Sequence, residues 1–215
     1  MIRQNKRIIW ITALLILLPI LFGVAFWNEL PRQMPTHWGL DGTVDGWSSR
    51  AFAVFGLPLV IFALHWLCVL ITEKDSRNHG QNEKVLRLVL WITPLVSLVT
   101  NGMVYATALG VQVSPKWFVF PLFGVLFVVI GNYLPKCKQN RTIGIKIKWT
   151  LENEENWNAT HRMAGKVWVG GGLLLGVCAV LPGAIAPAVM VVAILLLVAV
   201  PVAYSYWYYK KQARK

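Results

Sequence analysis

Side chains able to do chemistry gather in two connectors of this 215-residue chain, with two isolated polar residues elsewhere in apolar surroundings. The first connector, LPRQMPTHWGLDGTVDGW (30–47), sets His37, Asp41 and Asp45 four residues apart, flanked by Trp38 and Trp47. An imidazole and two carboxylates can hydrogen-bond a polar ligand or approach a cation. A calcium loop would need the D-x-D-x-D-G run and a distal Glu, which are missing. Pro31 and Pro35 fix φ and discourage helix, while Asp41-Gly42 and Asp45-Gly46 carry turn chemistry. Three readings stand: an ordered connector, a loop that presents His37, Trp38, Asp41, Asp45 and Trp47 to a ligand, or a calcium site.

The second connector, GNYLPKCKQNRTIGIKIKWTLENEENWNATHRMAG (131–165), is basic in its first half. There Ile143, Ile145 and Ile147 alternate with polar residues, as in a hairpin or an extended segment against anionic headgroups. In the second half Thr150 is expected to cap a short amphipathic helix, with Glu152, Glu154 and Glu155 at its dipole-favoured start. Trp157, His161 and Ala164 would share one face of it. Trp149, Thr150, Glu154, Trp157, His161 and Arg162 form a candidate docking set, because Trp and Arg dominate interface hot spots. A loop kept only for lipid contact is the competing reading. Within the apolar runs, His65 is either a proton relay, a ligand contact, or an interhelical hydrogen-bond partner, with Asn101 as its expected mate. No hydrolase, metalloprotease or phosphate-loop motif occurs and no Cys/His cluster has ligand spacing. No catalytic residue, no metal and no cofactor is therefore read.

These residues hang on elements of unusual composition. Hydrophobic residues make up 56%, charged residues only 14%, and the mean hydropathy is +0.55. An average soluble domain carries about 25% charged residues, so the solvent is a bilayer. Six apolar stretches approach the roughly 20 residues that a spanning helix needs: 8–27, 51–72, 85–110, 117–135, 166–181 and 184–209. Continuous apolar runs argue against a β-barrel. The first stretch lacks a small-residue cleavage pattern and reads as an uncleaved helix. Pro182-Gly183 would turn the fifth stretch back onto the sixth as an antiparallel hairpin. Prolines 19, 58, 94, 121 and 201 lie inside spans, where neighbouring helices can satisfy the freed carbonyls. Gly170–Gly172 and Gly176 are expected to let the fifth helix pack closely on the sixth or on a second copy.

Of 21 lysines and arginines, 18 fall in the termini, alternate loops and adjoining helix ends (Arg87 and Lys166) that would face the cytoplasm, and only Arg32, Arg50 and Lys116 fall on the other side. The expected fold is therefore all-α and polytopic, with six transmembrane helices and both termini cytoplasmic. The net charge of +12 follows from that asymmetry, and direct nucleic-acid binding is not required. Cys68, Cys137 and Cys178 read as unbridged thiols. A small transporter or exporter is an alternative for such a layout, although no internal repeat is evident and one buried ionisable residue offers little coupling.

The inner pattern GNYLPKxKxN…GIK…WTLxxExxWxxTHRxxGK resembles the SdpI family of bacterial membrane immunity proteins. The outer pattern LPxxxPTHWxxDGxxDGW resembles the domain of unknown function that precedes the SdpI segment there. Departures fall at Gln139, at Lys146–Trp149 and at Ala164-Gly165. The resemblance implies three parts: 1–72, a helix pair with the outer loop (the domain near 20–60); 73–135, helices three and four; and 131–209, the SdpI-like segment. It also implies protection from a secreted peptide toxin outside, retention of a cytoplasmic winged-helix repressor at the membrane, and lipid as the surrounding partner. Oligomeric state stays open.

Overall fold

The computed structural model describes residues 2–39, 41–182 and 185–214. Its helices are α1 (Ile2–Ala25), α2 (Leu57–Lys74), α3 (Glu83–Ala108), α4 (Lys116–Tyr133), α5 (Lys148–Glu152), α6 (Glu154–Cys178) and α7 (Ala186–Gln212), and all but α5 take in an apolar run. The chain is a multi-pass membrane protein. Asn5–Ala25, Phe52–Lys74, Glu83–Ala108, Lys116–Lys136 and Ala186–Gln212 are each long and apolar enough to cross a bilayer.

The remaining expected stretch, 166–181, overlaps the second half of α6, whose first half is polar. An amphipathic helix and a separate span were expected; they form one continuous rod. No proline interrupts 154–178, and the start is set by Asn153, whose side-chain oxygen accepts the Asn156 N–H at 2.8 Å. Thr150 is thus not the cap of this helix. It lies inside the short α5, where its hydroxyl accepts the Ile147 N–H (3.1 Å) and donates to the Ile145 carbonyl (2.7 Å).

The chain divides into two compact units. One comprises Ile2–Leu70 and Arg87–Leu122. Here the outer connector is a β-hairpin, β1 (Gln33–Trp38) antiparallel to β2 (Val44–Ser49), and not an irregular loop. An isolated two-stranded sheet is marginal in water, and this one rests on a core. Leu30 and Met34 bury against Ala53, Val54, Val104 and Tyr105. The pairing tolerates Pro35 because it falls opposite Trp47 where the register shifts, and a two-stranded sheet is all edge. On α1, a side chain at Gly23 would meet Val54 at 2.6 Å and the Tyr105 hydroxyl at 2.7 Å, so a larger residue would have to displace both. That hydroxyl donates to the Pro19 carbonyl (2.9 Å) and Ser97 to the Ile16 carbonyl (3.0 Å), so α3 hydrogen-bonds the backbone around the proline of α1.

The other unit comprises Ile71–Leu86 and Phe123–Lys215. Two glycines of α4 meet two of α6. A Cβ on Gly165 would lie 2.7 Å from the Gly131 carbonyl oxygen, and one on Gly172 would lie 2.7 Å from that of Gly124. The close packing of Gly172 is therefore onto α4, not onto the following helix; Gly171 is the glycine pressed against α7, through Leu197. Helix α7 buries Ala193, Leu197, Pro201 and Ser205 along one four-spaced stripe and exposes Leu195, Leu196 and Val198. Interiors of membrane proteins favour such small contacts, with larger residues left to lipid. Pro201 cannot donate to Leu197, and the free carbonyl receives the Trp168 indole N–H at 2.9 Å. With Asn156 donating to the Ser205 carbonyl (3.0 Å), these bonds pair α6 and α7 antiparallel, as expected. Of the Pro182-Gly183 turn that was to join them, Gly183 lies outside the described residues, and the Pro182 carbonyl accepts the Ile185 (3.0 Å) and Ala186 (3.1 Å) N–H groups.

Candidate functional site

In the hairpin, the chain reverses at Asp41–Thr43. Gly42 takes φ +82°, and the Asp41 carboxylate accepts both the N–H (3.0 Å) and the hydroxyl (2.8 Å) of Thr43. The backbone and then the side-chain bond to Thr43 hold the Asp41 carboxyl below its ordinary range. His37 Nδ1 lies 2.5 Å from Asp45 Oδ1 across the strands, and the two side chains are 72% and 49% exposed. The cross-strand position follows from the register, which sets His37 opposite Gly46. Trp47 is exposed, whereas Trp38 is turned partly into the Leu30/Met34 core. Asp41 is engaged by Thr43 and Asp45 by His37, and among the described residues no three His, Cys, Asp or Glu side chains are grouped to hold a metal ion. What the hairpin presents is a wet imidazole–carboxylate pair beside an open indole, suited to hydrogen bonding and stacking.

The sequence did not single out Arg50. Its guanidinium donates to the Trp27 and Leu30 carbonyls and sits 4.4 Å over the Trp27 ring, tying the hairpin base to the end of α1. Its only sequence signal was being one of three cations in the sparsely charged loops.

His65 is buried between threonines. Its Nε2 lies 3.2 Å from Thr12 Oγ1 and its Nδ1 2.7 Å from Thr93 Oγ1. The Thr12 hydroxyl proton goes to the Ile8 and Ile9 carbonyls, so Nε2 carries the ring hydrogen and Nδ1 accepts from Thr93. Both bonds run from His65 on α2 to threonines of α1 and α3, and Asn101, the expected mate, is not its partner. Asn101 donates instead to the Ser97 carbonyl (2.8 Å), one turn back on α3. An amide four residues from a serine carbonyl finds its own backbone first.

The inner connector has no strand between 137 and 147, so of the two expected forms, hairpin or extended segment, the hairpin is absent, and its backbone is densely bonded. Asn140 accepts the Thr142 (2.8 Å) and Ile143 (2.6 Å) N–H groups and donates to the Lys138 and Ile143 carbonyls. Gln81 clamps Lys138 by its N–H (2.9 Å) and carbonyl (3.0 Å). Asp75 accepts the Arg141 N–H at 2.7 Å, and Asn78 donates to the Thr142 hydroxyl at 2.7 Å. Asp75, Asn78 and Gln81 carried no pattern in the sequence beyond being polar in a short connector.

Behind this backbone lies Trp157, fully buried with Val85 and Cys137, its indole N–H donating to the Cys137 carbonyl at 2.7 Å. His161 stacks on it at 4.0 Å, takes the Ile145 N–H on Nε2 (3.0 Å), and donates from Nδ1 to the Trp157 carbonyl (2.8 Å). Burial, opposed by that last bond, pushes the imidazole pKa down to about 4; burial also raises the Cys137 thiol to about 11. Gly144 takes φ +111°, and a side chain there would meet His161 Nε2 at 2.5 Å. Gln139 caps α5 by donating to the Thr150 carbonyl at 2.7 Å.

The docking set therefore splits. Thr150, Trp157 and His161 are interior, and their interior place corrects the expectation that they present a surface. Glu154 and Arg162 are exposed, and Trp149 is half-buried between Tyr206 and Tyr209.

Residues 136–205 match the SdpI/YfhL protein family, and residues 14–62 match a domain of unknown function, DUF1648. Both matches fall on the motif-bearing segments. The Immunity protein SdpI of Bacillus subtilis (strain 168) is 24% identical over 208 residues, which cover 94% of this chain and 95% of that protein. No solved structure matches the chain.

Proposed function

We propose that this chain, SdpI-like over residues 136–205 and similar end to end to a named immunity protein, is an integral membrane immunity protein that protects its cell from a secreted peptide toxin. The observation that carries the reading is coverage. A likeness confined to one loop would support a shared local fold, whereas one spanning 94% of this chain and 95% of the relative takes in both connectors. The hairpin is the toxin-facing part in this reading: it exposes His37, Asp45 and Trp47, and the charge asymmetry supports an outer position for it.

The finer part of the proposal concerns a repressor held at the inner face. Its docking surface is the exposed Glu152, Glu154 and Arg162 with Trp149, while Thr150, Trp157 and His161 hold that surface from behind. A DNA-binding protein presents positive charge, which suits these carboxylates. Toxin binding must favour one conformer of the chain by about 1–3 kcal/mol to regulate such docking.

The test is a Bacillus subtilis strain stripped of its own SdpI, supplied with this chain, and grown beside toxin-producing kin. Survival rises if the reading is right. Unchanged survival, with the chain present in the membrane by blot, removes it. A fluorescent repressor imaged in the same cells should reach the membrane only with toxin, and lose that recruitment in Glu152→Gln/Glu154→Gln.

A further inference from the structure

Lys74 ends the apolar stretch Phe52–Lys74, so it sits at the level where hydrocarbon gives way to headgroups and water. Immediately beyond it the chain folds into a short 3-10 turn, Ser76–Gly80, and meets the inner connector at Arg141. Lys74, Asp75, Ser76, Arg77 and Arg141 line an open cavity of about 390 Å³. Small-ligand pockets run from about 300 to 1,000 Å³.

The cavity is lined by three cations and one carboxylate, and that carboxylate is engaged by backbone N–H groups. Asp75 accepts the backbone N–H of Arg77 (3.1 Å) and of Arg141 (2.7 Å). It therefore anchors the backbone of both arginines at the cavity wall through N–H bonds and not through an ion pair with either guanidinium. Among the described residues, no carboxylate pairs with Lys74, Arg77 or Arg141. Like charges gathered around one space repel, and an anion between them relieves the repulsion. Two planar guanidinium forks and one ammonium match the oxygens of a phosphate, and the Ser76 hydroxyl adds a neutral donor.

We propose that this cavity binds the phosphate of an anionic phospholipid headgroup at the end of α2. Lipid is favoured over a free anion because the site opens where the span ends, in reach of a headgroup anchored by its chains, and surface potential concentrates basic groups there. The site is separate from the toxin-facing hairpin and does not depend on the immunity reading.

The experiment uses the full chain purified in neutral detergent, with bound lipid counted by native mass spectrometry during titration with dioleoyl-phosphatidylglycerol or dioleoyl-phosphatidylcholine. Phosphatidylglycerol should bind at least tenfold more tightly. Arg77→Gln/Arg141→Gln should remove most of that preference, and Arg77→Lys/Arg141→Lys, which keeps charge and loses the forks, should fall between. Lys210→Gln/Lys211→Gln, with equal charge removed at the end of α7, should bind as the natural chain does. Equal affinity for the two lipids overturns the proposal, as does equal loss in the α7 variant. Displacement of phosphatidylglycerol by low-millimolar inorganic phosphate would overturn the lipid assignment, leaving a site for the free anion.

Discussion

In the hairpin at 33–49, His37, Asp45 and Trp47 stand in solvent, and backbone ladder bonds hold the strands. In the connector at 137–147 no ladder forms, and Asn140, Gln81, Asp75 and His161 hold the backbone with their side chains. Polar and aromatic residues of the same types do opposite work in the two places. Regular backbone pairing leaves side chains free for an outside partner; irregular backbone consumes them. The richer motif thus belongs to the region where half of the candidate docking residues are interior, and the hairpin is the region that leaves its candidate residues more open to solvent.

The two connectors are expected to face opposite compartments. Alkaline phosphatase fused after Gly42 should be active and fused after Lys148 silent, an all-or-none contrast; two active fusions would void the sidedness.

The next largest effect should come from Trp157→Ala. Truncating a fully buried Trp costs about 3–5 kcal/mol, and the Cys137 carbonyl loses its donor as well. Thermal melts in detergent should show a much less stable chain, and backbone amides of 138–145 should lose protection from hydrogen exchange. A melt close to the natural chain's would mean that the loop is not held from behind.

Acid should act on the same place. The folded imidazole of His161 has its pKa lowered from 6.5 to about 4, so the unfolded chain binds the proton first. The neutral imidazole's contribution is complete above pH 6.5 and is lost as pH falls towards 4, by up to about 3 kcal/mol. Stability measured from pH 7.5 to 4.5 should drop more steeply in the natural chain than in His161→Gln. Parallel curves would show that His161 is not the group responsible.

The smallest structural effect and the sharpest functional one should meet in the hairpin. His37→Ala/Asp45→Ala removes an exposed pair worth less than about 1 kcal/mol, so abundance and melting should hardly move. Survival under peptide challenge should nevertheless fall at least tenfold, with Asp45→Asn between. A double variant that survives as well as the natural chain takes the hairpin out of the mechanism.

Hydropathy alone made the helices legible, since twenty apolar residues have few other ways to bury their backbone in lipid. The α6/α7 hairpin was legible too, from a Pro-Gly turn between two runs. The β-hairpin was hidden because Pro35 and three glycines weaken the local strand signal, and its stability comes from Leu30 and Met34 meeting α3, a contact remote in sequence. Asn101 was proposed as the mate of His65 because both are polar in an apolar run, but helical phase decides such meetings, and the threonines at 12 and 93 hold the right phase. Thr150 and Trp157 looked like surface chemistry because residue type cannot tell an interface from an interior.

The indole of Trp168 bears on how this protein is made. Ribosomes deliver α6 before α7, so the donor is already in place when the proline-broken helix emerges with the Leu197 carbonyl lacking its internal mate. In hydrocarbon a bare carbonyl is costly. Helix α7 therefore leaves the insertion machinery most readily when it leaves against α6, and a Trp168→Phe chain would have to release its last helix incompletely solvated.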